Sequence, residues 1–540
     1  MIQPDLRQGG PQLSSGGMNF TPAPHVTQHW QVTKPAASGK RGMVVSQSRN
    51  AAEAGVAALD AGGNAIDAAL STALALAALE PWNSGLGGIG HAVVHRAGQA
   101  RAETVDFGPT APAALNPKLF KLTGKVAADL FGWPEVEGDV NIHGPLSFAI
   151  PSALAGYEEM HRRWGRLPLA EIAAPAVALA RRGLPQDWFT ALKVANSAAI
   201  LRRYPESARI YLRDGLPPVP PYQGGLNYFR LGNLPDTLER LQRAGWRDLY
   251  EGEIAANIIA DVKALGGVLS AEDLRNCKAR VSPATEVPWR GRTLQLAGPL
   301  TAAPTAADVL RQMADVRFGA APDAAWYVAL ARALKAAYAQ RLTSLGDAEP
   351  VAAESCTTHI TTCDADGTMV AMTTTLLSSM GSRVVLPTTG ILMNNGVMWF
   401  DPRPGQPNSI GPGKRPLTNM FPVILREGAA PSIAAGASGG RRIMAAVLQL
   451  VSFVADFGMS PEAAAHQPRI DVSGPDKVTA DRRLAPDILR ALEADGPLEI
   501  VEHAVLPINF ACPNLLMQRD GVRTGISDAA SPWSAAVAQG

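Results

Sequence analysis

The chain has 540 residues, 46% hydrophobic and 18% charged, and its 49 basic and 48 acidic side chains leave a net charge of +1. That length supports a large core, and the even charge argues against nucleic acid or an anionic membrane surface as partner. Cys277, Cys356, Cys363 and Cys512 form no CxxC and the histidines form no HExxH, so neither a disulfide framework nor a metal site is predicted.

The first residues, MIQPDLRQGGPQLSSGGMNFTPAPH, are polar and rich in Gly, Pro and Ser. They lack the continuous apolar segment of a secretory signal, and residues 1–40 are predicted to be a flexible arm. The most apolar run, Ala65 to Leu79, is too short to span a bilayer, so a cytoplasmic protein is expected. AAEAGVAALDAGGNAIDAALSTALALAALEP reads as two helices broken at Gly62-Gly63, the second apolar on nearly all sides and therefore buried. NSGLGGIGHAVVH follows as a glycine-rich turn into a strand from His91 to His95; it lacks the ending of a phosphate loop and opens no helix. Helices are predicted within 153–183, 235–267 and 305–340, with Ser270 capping SAEDLRNC and strands within 281–296. TSLGDAEPVAAES reads as a small-residue, mobile linker. Strands are then expected at 357–363, 368–376, 383–387, 390–394, 421–426 and 431–435. A Pro/Gly-rich loop falls at 401–417, and a long helix from Ile443 to Phe457. The pattern is a helix-rich first two-thirds and a strand-rich last third.

One stretch, ESCTTHITTCDADGTMVAMTTT from Glu354 to Thr375, is unusually dense in threonine. It reads as a β-hairpin, because threonine is β-branched and Asp364-Ala365-Asp366-Gly367 is a good turn. It also reads as a nucleophile, Thr357, concealed until the peptide bond before it is cut. The two readings are compatible.

Several segments in order resemble the gamma-glutamyltransferase family of N-terminal-nucleophile hydrolases. They are GGNAIDAALSTALALAALEP, GYEEMHRRWGRLPLAEIAAPAVALARRG, LYEGEIAANIIADVKALGGVLSAEDL, TTH with DADG, GILMNNGVMWFDP, PNSIGPGKRPLTNM and GASGGRRI. The resemblance spans roughly residues 40 to 530 and implies an α/β fold, a four-layer αββα sandwich. It also implies a precursor that cuts itself between Cys356 and Thr357. The products would be a large subunit, 41–356 with its arm, and a small one, 357–540, which stay paired as one interwoven domain; a higher oligomer is compatible.

Such a cut suits the chemistry. A threonine hydroxyl needs a base within reach, and a free α-amino group, with a pKa of about 7.7–8.0, supplies one on the same residue. No cofactor is required. By the resemblance, Gly439 and Gly440 provide backbone donors for the oxyanion, and Thr375 bonds the nucleophile's hydroxyl. Thr418 and Asn419 stand where two serines near the substrate are common. Taken alone, the glycine pair also reads as a helix-entry turn, Thr375 as an ordinary strand threonine, and Thr418 and Asn419 as loop-end caps.

Three positions depart from the family's pattern. Gly108 replaces the arginine that grips a glutamyl α-carboxylate. Leu377 replaces the asparagine that holds the α-amino group, and Trp399 falls where an aspartate is expected. The substrate contacts are thus altered while the catalytic set is kept, which points to a more apolar acyl pocket and another acyl group. Related members with altered pockets include cephalosporin (glutaryl) acylases and oxamate amidohydrolases. Arg441 reads either as a replacement cation for a carboxylate or as a solvated arginine at a helix start. His91 reads as a structural histidine. The leading expectation is an amide hydrolase acting on a small-molecule amide. The alternatives are a genuine gamma-glutamyltransferase or glutathione hydrolase, and an inactive, uncleaved binding protein.

Overall fold

Alternation along the strands builds the layers of this fold. The computed structural model describes residue 30 and residues 32–127, 132–344, 355–473 and 476–540, with the side chains at 342–344 and 355–356 left aside. Residues 345–354 of the predicted linker and most of the predicted arm lie outside the described residues. The central strands, in chain order, are β1 (Ala37–Gly39), β2 (Met43–Ser46), β3 (Ile89–His95), β4 (Glu103–Phe107), β5 (Arg280–Pro283), β6 (Thr285–Trp289) and β7 (Arg292–Leu296). They continue as β8 (Ser355–Cys363), β9 (Met369–Ser378), β10 (Val423–Glu427), β11 (Ala430–Ser438), β12 (Cys512–Arg519), β13 (Val522–Ser527) and β14 (Ala535–Ala538). Among the described residues they form two seven-stranded sheets, ordered β1-β13-β12-β11-β10-β7-β6 and β14-β2-β8-β9-β3-β4-β5. β1 corrects the predicted extent of the arm, because residues 37–39 pair with Arg523 to Gly525.

Successive side chains of a strand point to opposite faces. Val93, Met369 and Ala371 therefore meet Ile424, Ala434 and Leu516 between the two sheets. Their neighbours Ala92, Val94, Val370 and Met372 pack against α1 (Arg49–Asp60), α2 (Ala65–Leu79), α3 (Ala153–Trp164) and α4 (Leu169–Arg182). On the far side, Val423, Leu425, Ile433 and Leu515 pack against the helices α6 (Ala303–Met313), α7 (Ala324–Ser344) and α8 (Arg442–Ala455), α5 being Trp188–Leu201. The result is the expected four-layer αββα sandwich, and residues 34–540 make one compact unit. The helix break at Gly62-Gly63 is as predicted. Asn64 caps α2 through Ile66 and Asp67, and Asp67 returns a bond to the Asn64 amide, satisfying the helix's first donors.

The helix-rich and strand-rich parts interweave: β8 lies between β2 and β9, and β7 beside β10, so both parts share each sheet. One further feature differs from the reading of the sequence. Segments 383–387 and 390–394 form no strands. They meet at one bridge, Val385 to Leu392, because Met380, Gly381, Arg383 and Gly390 adopt left-handed backbone and turn the chain too often for a ladder.

The threonine segment is a hairpin, paired from Thr358–Thr374 to Cys363–Met369. Its turn is held by Asp364, which accepts from the Thr368 amide at 2.9 Å and from the Ala65 amide of α2 at 3.1 Å. Threonines serve both faces. Thr362 donates to Ala65 O at 2.6 Å on the helix side, and Thr373 meets His359 Nδ1 at 2.9 Å. The His359 ring lies over Gly436 of the facing sheet, where a Cβ would fall 2.2 Å from the ring. Burial pushes the imidazole pKa down to about 3, so the ring is neutral. Gly436→Ala is expected to lower stability by about 1–3 kcal/mol, the usual effect of overpacking. Denaturant titration checks this, and an unchanged midpoint would contradict the packing described.

Candidate active site

The candidate nucleophile sits at an irregularity in the hairpin. Cys356 pairs with Leu377 and Thr358 with Thr374, so Thr357 faces the two residues Thr375 and Leu376 across a bulge. The bulge brings the Thr357 and Thr375 hydroxyl oxygens to 3.2 Å, where either can donate. Thr375 Oγ1 also accepts from the Leu377 amide at 2.8 Å, which orients it. Leu377 pays for this position with φ +88, a conformation that bulky residues rarely adopt. β8 runs through the Cys356–Thr357 bond.

The glycine pair follows directly on β11. Gly439 has φ +138 and Gly440 φ +60, and a Cβ on Gly439 would lie 2.6 Å from the Ala511 Cβ. Only glycine accepts both conditions easily. The carbonyls of Gly439 and Gly440 accept from the Arg442 and Ile443 amides as α8 begins, so the helix-entry turn exists. Ser438, just before the pair, accepts a hydrogen bond from Gln47 Nε2 and lines a cavity with Thr357, bringing the end of β11 to the start of β8.

Arg441 is buried, only 7% exposed, and its carbonyl accepts from the Tyr338 hydroxyl at 2.6 Å. This corrects the solvated reading of that arginine. Thr418 and Asn419 are turned toward α7 and its neighbour. The Thr418 hydroxyl donates to Leu300 O at 3.0 Å, while Thr418 O and Asn419 Oδ1 accept from Arg341 at 3.0 and 3.1 Å.

The departures from the family's pattern fall in two places. Leu377 and Trp399 join one apolar cluster with Ile89, Trp133, Met398 and Met420. The neighbouring Asn395 fastens this region: it donates to Ser378 Oγ and Ile142 O, each at 2.8 Å. Gly108 lies elsewhere, beside His91 and Arg415. A Cβ there would be 3.0 Å from Arg415 Nη2, which itself pairs with Asp106 at 2.5 Å. The His91 ring and Arg415 thus occupy the space that the glycine leaves open. Burial opposes the Asp106 charge, but His91 and Arg415 hold its pKa down to about 2. His91 is buried, and burial lowers its own pKa, as befits a structural histidine. Arg415 was not singled out from the sequence; it lies in the Pro/Gly-rich loop, and nothing local marks it.

Nor were Glu80 and Lys193 singled out. They line a cavity of about 50 Å³ together with Gln47, Asn83, Thr357 and Ser438. Among the described residues no group of three or more His, Cys, Asp or Glu side chains could hold a metal ion.

Two antiparallel sheets between helical layers, with a threonine at the start of a central strand beside a glycine pair, define the class as an N-terminal-nucleophile hydrolase. The comparisons then name the family. The family model described as Gamma-glutamyltranspeptidase matches residues 51–356 and 350–505, and the chain belongs to that family. It is an enzyme of the N-terminal-nucleophile amide-hydrolase type. It is 30% identical over 498 residues to the Acylase ACY 1 proenzyme of Pseudomonas sp. (strain SE83), covering 84% of this chain and 86% of that one. It is 28% identical over 543 residues to the Glutathione hydrolase proenzyme of Escherichia coli (strain K12), covering 91% and 90%. Among solved structures, the cephalosporin acylase from Bacillus halodurans matches with a TM-score of 0.81 at 24% identity, covering 95% of this chain and 98% of that one; this likeness shows the fold.

Proposed function

We propose that the chain is a self-processing N-terminal-threonine amidohydrolase that cleaves an amide of a small acyl group through an ester on Thr357. The observation that carries this reading is the approach of the Thr357 and Thr375 hydroxyls to 3.2 Å at the bulge. In maturation, Thr357 Oγ1 attacks the Cys356 carbonyl carbon, the C–N bond breaks, and the Thr357 nitrogen takes the hydroxyl's proton. Water then opens the ester and leaves a free α-amine. In turnover that amine takes the hydroxyl proton as Oγ1 attacks the substrate amide, and returns it to the leaving amine. The amides of Gly439 and Gly440 stabilise the oxyanion. After cutting, the pieces stay together because β8 remains paired with β2, and β9 with β3.

The apolar cluster around Leu377 and Trp399 supports an acyl group without an α-amino function, as does the likeness to the acylase proenzyme. Arg441 is the cation we assign to a carboxylate on that group. The glutathione hydrolase relative supports the second reading, a γ-glutamyl substrate in an altered pocket. The purified protein is expected to run as two pieces, the smaller beginning Thr-Thr-His-Ile on N-terminal sequencing. A cut at another bond would remove Thr357 from its role, and an uncut, inactive chain would favour a binding protein.

A further inference from the structure

Before the first cut, the base used in turnover does not exist. The nitrogen of Thr357 is then an amide, whose lone pair is delocalised into the carbonyl. Thr375 offers only a hydroxyl. His359 is two residues along β8, but its ring is turned over Gly436, and its Nδ1 is engaged with Thr373. Maturation therefore needs another proton acceptor.

The cavity beside Thr357 holds one. Of the described residues lining it, Glu80 alone carries a carboxylate. Glu80 ends α2 and is 5% exposed. Its Oε2 accepts from Asn83 Nδ2 at 3.0 Å, and Asn83 O accepts from the Leu376 amide at 2.9 Å, so the carboxylate is tied to the bulge opposite Thr357. About 50 Å³, with Gln47, Asn83, Lys193 and Ser438 among its lining, is room for a bridging water. Resting on the self-processing reading above, we infer that Glu80 receives the Thr357 hydroxyl proton, through a water in this shared cavity, during the first cut. The proton passes from Oγ1 to water and from water to the carboxylate. As the Cys356–Thr357 C–N bond breaks, it returns by the same path to the departing nitrogen.

The surroundings suit the role. Burial raises the Glu80 pKa to about 7, with hydrogen bonding from Asn83, the Lys193 charge and Thr358 pulling it the other way. A carboxyl near that value can both take and return a proton. Lys193 approaches from α5. From β12 comes Cys512, whose thiol burial pushes up to about 12; behind it stand Lys34, Arg469, His503 and Asp528.

The test follows cutting of the freshly made full chain over time and across pH. The wild-type rate is expected to rise with pH through a midpoint near about 7. Glu80→Gln, which keeps the size and the Asn83 contact, is expected to cut at least about 100-fold more slowly and without that midpoint. Lys193→Met is expected to move the midpoint upward, since it removes the charge that favours ionised Glu80; a purely structural role would not move it. If Glu80→Gln cuts at the wild-type rate with the wild-type profile, the inference about Glu80 fails while the proposed function stands. If the wild type itself does not cut before Thr357, the proposed function fails first. If Glu80→Gln melts early, Lys193→Met decides, and an unshifted profile overturns the inference.

Discussion

Thr357→Ala is expected to leave one chain of 56.7 kDa and to lower turnover by about 10⁶-fold. The argument is structural as well as chemical. The methyl group of alanine fits the same strand position, so the sandwich should form unchanged, with β8 still paired to β2 and β9. What disappears is the one atom that attacks twice, first at Cys356 and then at the substrate. Thr357→Ser keeps that atom and should still cut, more slowly, because serine lacks the β-branch that holds its rotamer. Denaturing gels and turnover of the purified variants check both. An alanine variant that cuts like the wild type would end the assignment of Thr357 as nucleophile.

Matched anilides should separate the substrate readings. A glutaryl and a γ-glutamyl compound differ chiefly at the α-carbon, where the second carries an ammonium group. The contacts that would greet a glutamyl zwitterion are absent at Gly108, Leu377 and Trp399, and two of these positions are joined in apolar packing. A charge-assisted contact is worth about 1.5–3 kcal/mol. Two such contacts at about 2 kcal/mol each amount to about 10³-fold in specificity. Glutaryl anilide is therefore expected to exceed γ-glutamyl anilide in kcat/KM, with glutathione a poor substrate. A clear preference for the γ-glutamyl compound would overturn this and restore the second reading.

Much of the local structure was legible in the residues. The break between α1 and α2, the cap at Ser270 and the threonine hairpin with its Asp-Ala-Asp-Gly turn all follow from short-range rules. Periodicity, capping and turn chemistry act over a few residues, and the sequence displays them directly. The candidate nucleophile was legible through a resemblance spread over many segments, since threonine density alone fits an ordinary strand equally well.

Only the tertiary structure decided which distant pieces meet. It set β8 between β2 and β9, uniting the helix-rich and strand-rich parts. It buried Arg441, which local sequence leaves as readily in solvent. It drew Arg415 into the space beside Gly108, brought Glu80 to the cavity of Thr357, and seated His359 over Gly436. It also turned the chain at Met380, Gly381, Arg383 and Gly390, so that the two predicted strands meet only at the bridge from Val385 to Leu392. Each outcome depends on contacts between residues far apart in the chain. Such contacts are chosen by burial and shape once the layers close, and no local pattern encodes them.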